Sequence, residues 1–256
     1  PHGVLAVTFT NKASKEMTAR LSALVPINTR GMWIGTFHGL CNRLLRAHYR
    51  EAGLPQTFQI LDSGDQLSMV KRLLKNLNVD DEKFPPRELC HFINANKEQG
   101  IRAAQAEAYD GYTQKRVELY AEYETQCNRE GVVDFAELLL RCYELLNRNE
   151  PLRKHYQERF RYILVDEFQD TNRLQYSWLQ LLAGGGAKVF AVGDDDQSIY
   201  GFRGAEVGNM RDFERDYAGQ NIIRLEQNYR SQGNILAAAN ALIKNNRERL
   251  GKNLWT

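Results

Sequence analysis

Apolar residues fall into two patterns along this chain. Four short runs, Val4–Val7, Tyr162–Val165, Val189–Val192 and Ile222–Leu225, read as buried strands, and Met32–Gly35 as a fifth. Each ends abruptly in polar residues or glycine: Thr8, Asp166, Gly193-Asp194 and Glu226. Helical spacing separates them, the order expected of a mostly parallel sheet. Between about Phe37 and Phe160 the strand signal nearly disappears. Leu67, Val70, Leu73, Leu74 and Leu77 recur at helical spacing behind Ser63, with Gln66 three residues later, a capping-box pattern. Phe135, Leu138, Leu139, Cys142, Leu145 and Leu146 draw a second stripe behind Asp134, its expected N-cap. Tyr112–Arg129 reads as a third, more polar helix, and Asn234–Asn246 as another near the end of the chain. The pattern predicts an α/β chain in which a parallel sheet is interrupted by an all-helical insertion.

Composition narrows the class without choosing a ligand. Hydrophobic residues make up 43% and charged residues 26%, as in a water-soluble globular domain. The 34 basic and 32 acidic residues nearly cancel, so bulk charge makes no case for nucleic acid. Cys41, Cys90, Cys127 and Cys142 lie far apart without a CxxC pair, which favours a reduced, cytoplasmic setting over disulfides or zinc. No apolar run is long enough to span a bilayer. The chain starts at Pro1 and enters an apolar run almost at once, the mark of a fragment whose beginning is missing.

Chemistry concentrates where the apolar runs end. Asp166 and Glu167 close the run that starts at Tyr162. One carboxylate at such a strand end can hold Mg²⁺ while its neighbour orients an attacking water. A solvated acidic loop has the same local pattern. After the next run come Gly193 and three aspartates, Asp194, Asp195 and Asp196, which repel one another unless cations, donors or water stabilise them. Gln197 follows, with the donor and acceptor needed to sense a phosphate. Tyr200, Phe202 and Arg203 then combine two aromatics with a cation, suited either to stacking on single-stranded bases or to a folded turn. In Asn228-Tyr229-Arg230-Ser231, Arg230 reads either as a surface arginine or as a finger reaching a γ-phosphate. Tyr229 could stack on a nucleobase. Thr8, Phe9, Thr10 and Asn11 lead from the first run into a helix, and Thr36, Phe37 and His38 repeat the arrangement, both able to favour phosphate. The helix after His38 carries Arg43, Arg46 and Arg50 on one face, most simply a solvated basic face. No GxxxxGK[ST] phosphate loop is present. Gly184-Gly185-Gly186-Ala187-Lys188 has the wrong spacing and precedes a strand.

Taken in order, AVTFTNKAS (6–14), GTFHGL (35–40), ILVDEFQDT (163–171), VGDDDQSIYGFRGA (192–205) and RLEQNYRS (224–231) resemble the superfamily 1 DNA helicases of the UvrD/PcrA/Rep type. GVVDFAELLLR (131–141) extends the likeness into the helical segment, so it covers essentially the whole chain. The resemblance implies an ATP- and Mg²⁺-dependent 3′-to-5′ helicase of DNA repair and replication, built on a RecA-like P-loop NTPase sheet that is incomplete here. It implies domain 1A over 1–41 and 157–226, a helical 1B insertion over 42–156, and the start of domain 2A over 227–256. By motif, Asp166 would coordinate Mg²⁺, Glu167 would activate water, and Gln197 would link the γ-phosphate to DNA contacts. Arg230 would contact that phosphate and Tyr229 would stack near adenine. Thr8, Phe9, Thr10, Asn11, Thr36, His38, Tyr200, Phe202 and Arg203 would lie along single-stranded DNA, near its junction with duplex. The family usually has Trp where this chain has Phe202. DNA repair proteins are the expected partners, and no membrane is. Without a phosphate loop, the chain alone is expected to hydrolyse ATP negligibly. A subunit of a helicase–nuclease complex and a non-catalytic DNA-binding module with a degenerate ATPase core are the alternatives.

Overall fold

A computed structural model of the chain describes residues 2–26, 28–201, 204–219, 221–246 and 249–256. Phe202 and Arg203, both expected on a DNA path, lie outside the described residues.

The apolar runs pair as parallel strands. β1 (Val4–Thr8), β2 (Trp33–Thr36), β5 (Tyr162–Val165) and β6 (Lys188–Ala191) form one sheet in the order β2-β1-β5-β6. The register sets Leu5 beside Trp33 and Ile163, and Val7 beside Val165, so these side chains share one face. That face is buried by α2 (Phe37–Ala47), α6 (Phe135–Arg148) and α8 (Arg173–Ala183), with Trp178 wholly enclosed and donating to Cys142 Sγ at 3.3 Å. α1 (Asn11–Leu24) packs along β1 and β2.

The strands are not buried on both faces throughout. Tyr162 is 54% exposed and Phe190 60%, and Leu164 and Val192 are open as well. Their neighbours in sequence, Ile163 and Val165, are enclosed, so β5 alternates as a half-covered strand does. A continuous apolar run does not reveal which of its faces will be covered.

Two short strands interrupt the helical segment, β3 (Gln59–Leu61) and β4 (Val132–Asp134), paired in parallel. Between them lie α3 (Ser63–Asn76), α4 (Pro86–Glu98) and α5 (Gly111–Glu130). These helices enclose a second cluster around Val70, Leu74, Ile93, Leu119 and Tyr120. The flanking apolar residues, Leu44, Leu54 and Phe58 before it and Val133, Leu138 and Leu145 after it, belong to the cluster beneath the sheet.

Asp134 caps α6 as expected, accepting the Glu137 N–H at 2.7 Å. The cap of α3 is corrected: Asp62, not Ser63, accepts the N–H groups of Gly64 and Asp65, and Asp65, not Gln66, returns the bond. Gln66 instead turns inward to Asn94 and Asp134. Ile222–Leu225 does not form a strand. Ile223 and Leu225 are more than 80% exposed, and the segment has no strand partner among the described residues, so its backbone groups face solvent instead of a ladder. The helix after it, α10, runs Gly233–Ile243, and α7 (Glu150–Arg159) and α9 (Gly208–Phe213) complete the helices used below.

Candidate functional site

Because all four main strands are parallel, their C-terminal ends form one edge, the position where open α/β sheets bind ligands. Thr8 and Thr36 are register partners there. Asp166 and Glu167 follow β5 directly, and the Asp166 N–H extends the ladder to Val7 O at 3.0 Å. Val192, Gly193 and Asp194 follow β6, and the Val192 N–H bonds Val165 O at 2.8 Å.

The turn after β5 is strained. Glu167 adopts φ 50, ψ 45, a left-handed conformation that costs a non-glycine residue roughly 1–2 kcal/mol. It lifts the Glu167 carboxylate to the surface, where Gln169 Nε2 donates to it at 2.8 Å. Asp166 is half-buried, and its carboxylate makes no hydrogen bond or ion pair to a described residue. Nearby, Asp170 Oδ1 is shut off from solvent without a hydrogen-bond partner among the described residues. Burial and the neighbouring Glu167 push the Asp170 carboxyl up.

The three aspartates after Gly193 are held by two cations and a backbone N–H from residues 249–252. Arg249 forks onto Asp196, at 2.9 and 2.5 Å, and the Leu250 N–H donates to Asp195 at 2.5 Å. Lys252 pairs with Asp194. Burial pushes the Asp194 carboxyl up, but Lys252 and Gln197 outweigh it and hold it below the usual carboxylate range. Their carboxylate oxygens can converge within 4.8 Å, a spacing a metal ion could use, but here protein cations and N–H groups already answer the charge.

Gln197, Tyr229 and Arg230 line one cavity of about 580 Å³ together with Asp194 and Lys252. The Gln197 amide donates to Asp194 Oδ2 at 2.7 Å. Asn228 Oδ1 accepts the N–H groups of Arg230 and Ser231, fixing the turn that presents both Tyr229 and Arg230. Tyr229 is 86% exposed, so its ring is available. Strand pairing of Gln227 with Trp255 holds this turn against the end of the chain. Neither Asp166 nor Glu167 bonds Arg230; Glu167 is joined to the cavity through Gln169 and Asp194.

The remaining site residues lie along the sheet edge. Thr8 is only 1% exposed, and Phe9 packs edge-on against Phe37 at 5.5 Å. Thr10 caps α1 by accepting the Ala13 N–H, and exposed Asn11 is the first residue of that helix. Thr36 caps α2 in the same way through Gly39 N–H. His38 packs edge-on against Phe135 at 6.1 Å, and burial pushes its imidazole pKa down, favouring the neutral ring. Tyr200 is half-buried in the turn after Gln197. The arginines of α2 are not simply solvated: Arg43 sits over Trp33 at 4.4 Å and Arg46 over Phe58 at 3.6 Å.

Sequence reasoning missed Gln169, Arg249 and Lys252. Gln169 follows the carboxylate pair in the same motif, a signal at hand. Arg249 and Lys252 lie more than fifty residues from their partners with no local mark.

Residues 1–218 match the model of the UvrD/REP helicase N-terminal domain, and the chain belongs to this family. Across its whole length it is 55% identical to DNA helicase II of Escherichia coli strain K12, covering 36% of that protein. It is 52% identical over 99% of its length to DNA helicase II of Haemophilus influenzae, and 45% over 100% to the ATP-dependent DNA helicase PcrA of Staphylococcus aureus strain Mu50. The chain spans about a third of the length of these relatives, 35–36%.

Proposed function

We propose that this chain is the ATP- and DNA-handling part of a 3′-to-5′ DNA helicase, with a RecA-like sheet and a helical 1B insertion over 42–156. The observation that carries the reading is the joining of Glu167 to the cavity of Gln197, Tyr229 and Arg230 through Gln169 and Asp194. Family membership and relatives named as DNA helicases support it.

The residues fit a triphosphate with its metal. The Asp166 carboxylate offers hard oxygen ligands free of any described partner, so Asp166 would hold Mg²⁺. Bound there, Mg²⁺ supplies charge neutralisation at the phosphate oxygens. Exposed Glu167 accepts a proton from the attacking water. Arg230 brings a planar fork to the γ-phosphate, stabilising the charge that develops during transfer. Gln197 senses that phosphate from the same cavity, and Tyr229 stacks on adenine. Single-stranded DNA runs along Phe9, Thr10, Asn11, Thr36, His38 and Tyr200, with enclosed Thr8 supporting the edge behind them, and by motif Phe202 and Arg203 also contact it. Residues 227–256 begin domain 2A. The protein works at single-strand/duplex junctions in cytoplasmic DNA repair and replication, with repair proteins as partners.

These 256 residues hold no GxxxxGK[ST] loop, so this polypeptide alone hydrolyses ATP negligibly. The test compares the full-length protein with these residues alone. The full-length protein should separate duplexes bearing a 3′ single-stranded tail and spare those with a 5′ tail, using ATP. The 256-residue chain should do neither. Unwinding only from a 5′ tail, or full ATP turnover by the short chain, contradicts the reading.

A further inference from the structure

Gln169 is 2% exposed, yet both ends of its amide are engaged. Nε2 donates to Glu167 Oε2 at 2.8 Å, and Oε1 accepts the Asp194 N–H at 3.0 Å. A buried amide is held by its hydrogen bonds, so this side chain has one orientation. Its partners stand on different loops, one after β5 and one after β6. The Phe168 N–H bonds Val192 O at 2.9 Å alongside, making the link two-stranded. Gln169 is the one described side chain that bonds the Glu167 carboxylate. On the other side, Asp194 passes the connection to Gln197 at 2.7 Å. Gly193 packs closely here: a Cβ added to it would lie 3.0 Å from Gln169 Oε1.

We propose that Gln169 is a positioning residue: it orients the Glu167 carboxylate and ties it to the Asp194–Gln197 turn, so that the water-activating and phosphate-sensing groups shift together. The inference rests on the ATPase reading above. A glutamine acting only as core filler would contribute packing, whereas this one fixes the direction of a reacting group. Small displacements of such groups cost up to a hundredfold in rate, to order of magnitude.

Two variants separate its two bonds. Gln169→Glu keeps an acceptor for the Asp194 N–H and loses the donor to Glu167. Gln169→Met, of similar size, loses both. Each is made in the full-length protein beside Glu167→Gln, and read by amide hydrogen exchange at Asp194 and by steady-state ATPase with single-stranded DNA. Both variants should lower kcat roughly ten- to hundredfold with the KM for ATP nearly unchanged. Exchange at Asp194 should quicken about tenfold in Gln169→Met and stay slow in Gln169→Glu. Unchanged kcat in both variants, unchanged exchange in Gln169→Met, or kcat and KM worsening together with a collapsed melting temperature overturns the proposal. Full ATPase in Glu167→Gln overturns the ATPase reading itself, while the exchange result still judges the tie between the two loops.

Discussion

Asp194 and Gln197 are joined twice, Gln197 Nε2 donating to Asp194 Oδ2 at 2.7 Å and the Gln197 N–H to Asp194 O at 2.9 Å, and the same carboxylate also holds Lys252. One aspartate therefore fixes Gln197, the loop after β6 and the end of the chain. Asp194→Ala removes both side-chain contacts and the bond from the Asp196 N–H, and leaves Lys252 only Asp196, 3.7 Å away. The loss should be about 1–3 kcal/mol in urea unfolding. A change below the error of that measurement would place the stability of the turn elsewhere.

Gly193→Ala tests the packing above Gln169. The added methyl would lie 3.0 Å from Gln169 Oε1 and 3.3 Å from both its N and Met210 Cε. Overpacking of this kind costs about 1–3 kcal/mol. Thermal melting should drop, and in the full-length protein kcat should fall while ATP affinity holds. An alanine variant with wild-type melting and turnover would refute the close fit.

Tyr229→Ala should separate binding from stability. The ring is 86% exposed, so melting should stay unchanged. If the ring stacks on adenine, ATP binding in the full-length protein should weaken roughly two- to tenfold, the worth of one aromatic contact. Equal affinity in titration calorimetry would remove Tyr229 from the adenine site.

The helical segment hides a charged core. Lys97 is 1% exposed and reaches Asp134 at 2.7 Å and Glu137 at 3.0 Å, while Arg102 and Arg141 also hold Glu137. Removing one partner of a buried pair costs about 3–5 kcal/mol, so Lys97→Met should strongly destabilise the fold in urea. A variant as stable as wild type would show that the network contributes nothing net.

The same network sets a pH window. Burial pushes the Glu137 carboxyl up, but Lys97, Arg102 and Arg141 outweigh it and hold it well below the ordinary glutamate value of 4.5. Burial pulls Lys97 down, but Glu137 and Asp134 raise it above 10.5. A depressed carboxyl stabilises the fold above its unfolded pKa and loses that contribution as pH falls through the folded value. A raised lysine stabilises below its unfolded pKa and loses it as pH rises through the folded value. This contribution should therefore be level between 4.5 and 10.5 and decline outside, by comparing wild-type and Lys97→Met melting across pH. Equal pH dependence in the two proteins would exclude it.

Much of this was legible in the chain itself. β1, β2, β5 and β6 follow from apolar runs that stop at polar residues, and the carboxylate pair marks the edge where they end. Ile222–Leu225 has the same local pattern without a partner strand, and pairing is not written in one segment. Adjacent Asp62 and Ser63 can both cap a helix, and backbone geometry chose the aspartate. β3 and β4 are too short for a period. Nothing local marks Lys97 for burial, because its partners lie 37 and 40 positions along the chain. Gln169 carries no sign of burial, which arises only when the loops after β5 and β6 close on it.

The most direct measurement is ATP binding and turnover by full-length protein carrying Glu167→Gln, with Mg²⁺ and single-stranded DNA. Binding should persist, while turnover falls about 10²- to 10⁴-fold, the usual contribution of a positioned base. Turnover within twofold of wild type would contradict the assignment of Glu167 to the attacking water, and with it the placement of the triphosphate at the end of β5.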